Sequence, residues 1–515
     1  MKITYITFAP VYQKDGEITS EMASARYRVI LPAIQISRRG HQVEIRSVPP
    51  SGWTPALAAE ITADCVVLSK SFHESNELLV DNLRGRGIRV LLDLCDNHFE
   101  DPRLGPHLKK LISTVSGIIA STAKMAEVIK EHTGKDSIVI GDPVEGSRSE
   151  PAFEPRFPFL KTLWFGHPSN LESLMRIIPE LERFSGAIPI SLKVVTSLVK
   201  GLEEKLQRIT QNCAGRLKIE LAPWSIEATW KALSETNIVL IPSLENEKKS
   251  VKSPNRLVES LWAGRFVVAH PIPAYGLFDD AAWVGNSITE GIRFALDNPE
   301  QVVKRITKGQ QRVSSHLSSY HIGQLWLQTF GDITPRPLML NLGCGDKILP
   351  EYVNVDVVES RKGMRPDVIC DLHDLVPFAD DSVDEILSVH VVEHFWRWEV
   401  FDILREWVRV LKPGGKMVLE CPNLQSACET FLADPVTHSR EDQAGRRTMW
   451  VFYGDPAWKD PYMNHRWGYT VQSLGEIMMR AGLVNVRQEP AQFKLREPRD
   501  MRVTGIKPGA GSTPK

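Results

Sequence analysis

Disulfide spacing is missing from this sequence. Seven cysteines stand at positions 65, 95, 213, 344, 370, 421 and 428, and no two form a Cys-x-x-Cys pair. That scatter argues against a disulfide framework or a thiolate zinc site and fits reduced thiols in a cytoplasmic protein. Long apolar runs are missing too. Nothing approaches the ~18 uninterrupted apolar residues of a membrane span, and Met1–Pro10 is too short and too interrupted for the core of a signal peptide, so it reads as a first strand. Charge of one sign is also lacking. The 62 basic and 63 acidic residues leave a net charge of −1, so no global basic field points to nucleic acid. No transmembrane segment is expected, and peripheral membrane contact through local basic patches stays open. There is no internal repeat, and low complexity is confined to the tail 498–515, which is expected to be disordered.

What is present is ordinary globular material, 42% hydrophobic and 24% charged, in a chain of 515 residues. That length suggests three domain-sized units. In the first, 1–150, short apolar runs at Ile3–Phe8, Gln42–Ser47, Cys65–Ser69, Arg89–Asp93, Gly117–Ser121 and Ser137–Ile140 alternate with helical stretches such as Ala23–Arg39. A proline-rich crossover at Glu150–Phe159 leads to a second set, 151–332, with strands at Thr162–Phe165, Ser191–Thr196, Lys218–Leu221, Ile238–Pro242 and Phe266–Ala269. Helices around Thr289–Leu296 and Trp326 are expected to close that lobe, and Gly331–Pro337 to serve as a linker. The third set, 336–497, has strands at Leu338–Leu342, Val353–Val357, Val368–Cys370, Glu385–Val389 and Lys416–Glu420. Strands separated by 10–15-residue helices imply parallel sheets covered on both faces, so the fold class is α/β throughout.

The densest chemistry lies in the third set. Leu338-Met-Leu-Asn-Leu-Gly-Cys-Gly-Asp346 is an apolar run that stops at two glycines, and Tyr352-Val-Asn-Val-Asp356 ends in a carboxylate. Glycines at a strand end let backbone approach a ligand, and a carboxylate at the next strand tip can hold a ribose diol. A redox dinucleotide motif needs a third glycine, which Lys347 and Ile348 deny. Further on come Asp371-Leu372, the segment His390-Val-Val-Glu-His-Phe395 and the turn Leu411-Lys-Pro-Gly-Gly-Lys416. This series resembles class I S-adenosylmethionine-dependent methyltransferases over about 160 residues. The resemblance implies a Rossmann-like domain with S-adenosylmethionine held by Asn341, Gly343, Cys344, Gly345, Asp356, Asp371, Leu372 and His390. Asp356 would accept from the ribose and Asp371 from the adenine amino group.

Methyl transfer to a sugar hydroxyl requires removal of a proton, and a histidine near neutral pKa suits that task. His390, His394 and His465 are the candidates. His390 and His394 stand four apart and would share a helix face, although either could simply cap or pack. The three could also ligate a metal with Asp455 or Asp460, but that spacing is not diagnostic and no metal site is assigned. Phe452–Thr470 mixes aromatics with Asn464, His465, Arg466 and Tyr469, a composition suited to a sugar acceptor pocket or to a packed lid.

In the first two sets, Ser24-Ala-Arg-Tyr-Arg-Val-Ile-Leu-Pro32, Gly40-His-Gln-Val43, Ile241-Pro-Ser243 and Lys252-Ser-Pro-Asn-Arg-Leu-Val-Glu-Ser-Leu-Trp-Ala-Gly264 resemble GT-B glycosyltransferases over roughly residues 1–330. That fold has two Rossmann-like lobes and binds a nucleotide sugar on the second. The resemblance places the donor at Gly166, His167, Lys252, Ser253, Asn255, Arg256 and Glu259. A helix N-terminus there would favour phosphate, with Lys248 and Lys249 adding charge and Glu259 binding ribose. Two departures stand out. Val251 occupies the position eight before Glu259 where retaining families carry a second glutamate, and Trp164-Phe-Gly-His-Pro-Ser-Asn170 lacks the usual arginine and lysine. Asp96 and His98, at the end of a first-lobe strand, would face the acceptor. The expectation is a bifunctional cytoplasmic transferase that adds a sugar and methylates a hydroxyl on a glycan or lipid-linked glycan. The alternative is a methyltransferase of a small molecule or protein with a non-catalytic recognition module in front.

Overall fold

The computed structural model describes residues 1–14, 17–155, 157–244, 246–331, 337–358, 361–364, 366–378, 380–455, 459–493 and 499–509. The chain divides into two compact units, Met1–Ile333 and Thr334–Lys515. Most of the expected linker, 332–336, and the end of the tail, 510–515, lie outside the described residues. Among those described, no helix is long and apolar enough to cross a membrane.

Two six-stranded parallel sheets build the first unit. One runs Gln42–Ser47, Lys2–Thr7, Cys65–Ser69, Arg89–Leu94, Gly117–Ala120, Ile138–Val139. The other runs Leu217–Pro223, Ile190–Thr196, Leu160–Phe165, Ile238–Ile241, Phe266–Ala269, Trp283–Val284. Central strands such as Cys65–Ser69 and Ile238–Ile241 are buried along their whole length. This explains why they read as continuous apolar runs rather than as alternating patterns. In the second sheet the chain starts in the middle and winds outward both ways, so a crevice opens beyond the ends of Leu160–Phe165 and Ile238–Ile241.

One expectation is overturned here. The helix Ser319–Thr329 does not close the second lobe. It returns to the first, where Trp326 is fully buried against Tyr5 with ring centroids 5.7 Å apart. Ile322, Leu327 and Phe330 join the same core as Ile3 and Val67. Burial of this apolar face on the first sheet outweighs proximity in sequence.

The second unit holds a seven-stranded sheet in the order Val368–Ile369, Val353–Asp356, Met339–Leu342, Val383–Val389, Leu411–Pro422, Asp500–Ile506, Val484–Glu489. The first five are parallel. Asp500–Ile506 is antiparallel to both of its neighbours. The expectation of disorder from residue 498 is therefore wrong for Asp500–Ile506, six of whose seven residues are buried. Its pairing with Leu411–Pro422 satisfies backbone groups that would otherwise form an open edge. The strand order switches sides between the parallel neighbours Met339–Leu342 and Val383–Val389, which places a crevice at Gly343 and His390.

Candidate active sites

The cleft of the first unit is built on an irregular helix. Ala23–Arg38 is wound as a π-helix over Arg26–Ile30, and all five of those residues are buried. The wider turn directs consecutive polar side chains inward, a distortion frequent at functional positions. Arg28 bridges Asp93 and Asp142, at 3.0 Å from the latter, and donates to the carbonyl of Ile140 at 2.6 Å. Arg26 pairs with Glu145 at 2.9 Å. The Tyr27 hydroxyl donates to Glu259.

These contacts fix a cleft of about 640 Å³ whose lining includes Gly166, His167, Lys252, Arg256 and Glu259. Ser253 and Asn255 also line it, but their side chains donate to Asp142 at 2.6 and 2.7 Å. What they offer a ligand is backbone at the start of the helix Asn255–Trp262, not a hydroxyl or an amide. His167 is exposed, and its Nδ1 accepts from the Ser169 amide at 3.2 Å, so it caps a turn as well as facing the cleft.

The arginine and lysine missing after Phe165 are supplied from elsewhere. Lys249 reaches across to Asn170, and Arg256 donates to the Phe165 carbonyl at 3.4 Å. Burial lowers the pKa of Lys249, with Arg256 and Lys252 adding to the effect, and burial lowers that of Arg256. Three cations thus crowd one wall, and no carboxylate among the described residues pairs with Arg256. Asp96 pairs with both Lys252 and Lys70, the latter at 2.8 Å. Burial raises its pKa, but the two lysines overcome this and hold it well below the usual carboxylate range. His98 faces a neighbouring cavity and packs edge-on against Phe72, at 5.0 Å. Val251, at the position where retaining families carry a second glutamate, is fully buried in the core of the first lobe.

Glu259 has an unusual titration. Burial pushes its carboxyl up to about 7, helped by Glu145 and opposed by the Tyr27 hydrogen bond. A raised carboxyl pKa contributes stability that is complete below the ordinary value of 4.5 and is lost as pH rises through about 7. A ribose diol prefers the ionised form as its acceptor, so nucleotide affinity is expected to rise over the same window while stability falls. Calorimetric affinities and thermal melts at pH 5.5 and 8 check this, and Glu259→Gln is expected to flatten both trends.

In the second unit the glycine loop is tied to Asp356. The Gly345 amide donates to Asp356 Oδ2 at 2.7 Å, and the Val358 amide to Oδ1 at 3.0 Å. Gly343 has φ of +70°, and a Cβ there would collide with Val391. Gly343→Ala is therefore expected to destabilise this unit by about 1–3 kcal/mol, read as a lower melting temperature that Val391→Ala partly restores. Cys344 is buried beside the loop, and burial pushes its thiol up to about 12.

Asn341 and Asp371 differ from expectation. The buried amide of Asn341 donates to the Lys347 carbonyl at 2.9 Å and to Asn354 at 3.0 Å, so it braces the loop rather than facing a ligand. Asp371 is exposed and paired with His373 at 2.7 Å, while its neighbour Leu372 is buried. Burial raises the Asp371 pKa, and the His373 amide and ring pull it below its ordinary value.

The histidines do not share a helix face. His390 has φ of +57°, and only a short 3-10 turn follows, Val392–His394. His390 lies between two buried carboxylates, Nδ1 at 3.3 Å from Glu393 and Nε2 at 3.4 Å from Asp500. With both nitrogens facing anions, it suits positioning rather than proton abstraction. His394 and His465 instead meet each other, with ring centroids 5.0 Å apart, and His465 Nε2 is 3.9 Å from Glu393. Burial alone would raise the Glu393 pKa, but the three histidines, His390 foremost, hold it down to about 2. The Asn464 carbonyl accepts from His394, Arg466 lies over the Trp396 ring at 5.2 Å, and Tyr469 is buried. Trp396 stacks on Trp398 at 5.0 Å, and both are exposed.

Glu393, the hub of this cluster, carries no role in the sequence reading, although it stands inside the segment that drew attention. A carboxylate next to a histidine in an otherwise apolar run was the available signal. Asp500 gave none.

Residues 340–419 match the model of a family described as a methyltransferase domain. No curated protein matches the chain. Among solved structures, HepE of Anabaena in complex with UDP and glucose is 11% identical, with a TM-score of 0.49 over 65% of this chain and 100% of that one. A glycosyltransferase from Rickettsia africae is also 11% identical, with a TM-score of 0.49 over 65% and 98%. TarM of S. aureus is 14% identical, with a TM-score of 0.41 over 52% and 55%.

Proposed function

We propose that the chain is a bifunctional transferase. Its second unit methylates a hydroxyl of a sugar or glycoconjugate using S-adenosylmethionine. Its first unit transfers a sugar from a nucleotide donor to a glycan or lipid-linked glycan in the cytoplasm. The observation that carries the methyl-transfer half is the match to a methyltransferase domain over 340–419, a span in which the Gly345 amide donates to Asp356. The residues fit the cofactor. Asp356 keeps free lone pairs beside the glycine loop, since each of its oxygens accepts only one amide in the hydrogen bonds above.

When bound there, S-adenosylmethionine supplies a methyl group on a sulfonium and a neutral leaving group. The chain's own contribution is alignment and proton handling. Gly343 and Gly345 admit the ligand, Asp356 accepts its ribose hydroxyls, and Leu372 gives the base an apolar wall. His390, clamped between Glu393 and Asp500, fixes the backbone turn that separates cofactor from acceptor. The acceptor hydroxyl meets the Glu393, His394 and His465 group. Stacked and exposed Trp396 and Trp398, with Arg466 above, suit the apolar face and hydroxyl rim of a sugar.

In the first unit, Lys249, Lys252 and Arg256 oppose a diphosphate, and Glu259 takes the nucleoside ribose. Supporting this reading is Arg256, a half-buried cation with no carboxylate at ion-pair distance among the described residues, which an anionic ligand would pair. The test is nucleotide-sugar hydrolysis by the whole chain across common donors. Turnover of one donor, lost in Glu259→Ala, is the expected result. Inertness toward every donor with glycan still bound would make this unit a recognition module.

A further inference from the structure

Glu393, His394 and His465 present one ligand atom each, all within 4.8 Å of one another. Two details of their surroundings go beyond proximity. His394 Nδ1 faces the Asn464 carbonyl at 3.1 Å, and His465 Nδ1 faces the Val451 carbonyl at 2.9 Å. A carbonyl can only accept, so in both rings Nδ1 carries a proton and Nε2 is the nitrogen left to offer a lone pair to a metal ion when the ring is neutral. This is how proteins orient histidine as a metal ligand, with the distal nitrogen tied to backbone and the other aimed inward.

The second detail concerns charge. Glu393 and Asp500 are both 2% exposed, and none of their four carboxylate oxygens makes a hydrogen bond to the described residues. The ionic partner close to both is His390. Glu393 thus holds a buried carboxylate with no hydrogen-bond donor among the described residues. Burying such a charge without compensation is costly.

We propose that Glu393, His394 and His465 bind one divalent transition-metal cation through the Glu393 carboxylate and the two Nε2 atoms. Two imidazoles and one carboxylate leave coordination positions open and favour Mn²⁺, Fe²⁺, Co²⁺ or Zn²⁺ over Mg²⁺ or Ca²⁺, which prefer all-oxygen shells. The ion gives the buried Glu393 carboxylate a cationic partner. It lies one residue before Phe395 and the Trp396–Trp398 stack, where an acceptor sugar is placed above. Its role there rests on the methyl-transfer reading. The ion takes the acceptor hydroxyl oxygen and lowers the pKa of that hydroxyl as a Lewis acid. The hydroxyl proton leaves to water. The oxygen then forms the new bond to the methyl carbon as the carbon–sulfur bond breaks and its electron pair stays on sulfur.

Binding is measured without reference to methyl transfer. The full chain is stripped with chelator, dialysed and titrated with CoCl₂ while absorption in the visible is recorded, with ZnCl₂ and MgCl₂ titrated by calorimetry. The expected result is one Co²⁺ and one Zn²⁺ per chain, visible bands for Co²⁺, a higher melting temperature on loading, and at least about 100-fold weaker binding of Mg²⁺. His394→Gln and His465→Gln are each expected to weaken Zn²⁺ binding by at least about 10-fold, in line with the loss of one ligand of three. Circular dichroism checks that they fold, and should one not fold, the other and Glu393→Gln give the same readout. No saturable Co²⁺ or Zn²⁺ binding by the stripped wild-type chain overturns the proposal, as does binding that folded His394→Gln and His465→Gln leave unchanged. Methyl transfer that proceeds in excess chelator would remove the ion from the reaction while leaving the methyltransferase reading intact.

Discussion

Asp356→Ala is expected to weaken S-adenosylmethionine binding by about 100-fold or more. The carboxylate does two things at once. It would accept both ribose hydroxyls of the ligand, and it already accepts the amides of Gly345 and Val358 at 2.7 and 3.0 Å. Hydrogen bonds to a charged group contribute about 1.5–3 kcal/mol each, so losing two to the ligand predicts roughly two to four orders of magnitude in affinity. Release of the Gly345 amide adds to this by loosening the loop that must admit the ligand. Isothermal calorimetry on a folded variant is the check. Asp356→Asn separates the two roles, because its carbonyl oxygen can still accept from Gly345 while its amide cannot accept from the ribose. An intermediate loss is expected for Asn, and unchanged affinity in the alanine variant would remove Asp356 from the site.

The second large effect belongs to the first unit. Arg256→Ala is expected to weaken binding of a nucleoside diphosphate by at least about 30-fold, since truncating one partner of a desolvated charge pair costs about 2–5 kcal/mol. Arg256 is suited to this because burial already lowers its pKa and its hydrogen bond is to a neutral carbonyl, that of Phe165, at 3.4 Å. A phosphate would give it the charge partner it lacks. Arg256→Lys is expected to recover only part of the loss, because an ammonium cannot donate in parallel to two phosphate oxygens. The stability of the unit should change in the opposite sense. Removing a partly desolvated cation that has no ion pair relieves a desolvation cost, so the unliganded alanine variant is expected to melt no lower than the wild type. A variant that loses stability and binding together would mean that Arg256 props the fold.

Much of the architecture was legible in the sequence because parallel strands buried on both faces announce themselves as short apolar runs bounded by turns. Leu338–Leu342, Glu385–Val389 and Ile238–Pro242 read correctly for that reason. Asp500–Ile506 did not, because Asp500, Arg502, Thr504 and Gly505 disguise a strand that is nonetheless buried along most of its length. Its polarity has local causes, since Asp500 faces His390 and Arg502 pairs with Glu420. The helix that carries Trp326 was assigned to the wrong lobe because sequence order says where a helix occurs but not which sheet its apolar face meets.

The candidate sites divide the same way. Glycines and carboxylates at strand tips, such as Gly343, Gly345, Asp356 and Glu259, were placed by topology and stand at the crevices. Residues whose role depends on what lies across the fold were missed or misread. Asn341 turned out to brace a loop, and Ser253 and Asn255 turned out to serve Asp142. Lys249 proved to supply charge that the segment after Phe165 lacks. The spacing of His390 and His394 suggested one helical face, but the left-handed backbone at His390 sends the two side chains to different partners.

The central claim is that one chain both adds a sugar and methylates a saccharide hydroxyl. The most direct test incubates the whole protein with methyl-labelled S-adenosylmethionine, common nucleotide sugars and lipid-linked glycans, and locates the label by mass spectrometry. The account predicts label as an O-methyl group on a saccharide, lost in Asp356→Ala. Label found on protein side chains or small molecules and never on saccharide would contradict it.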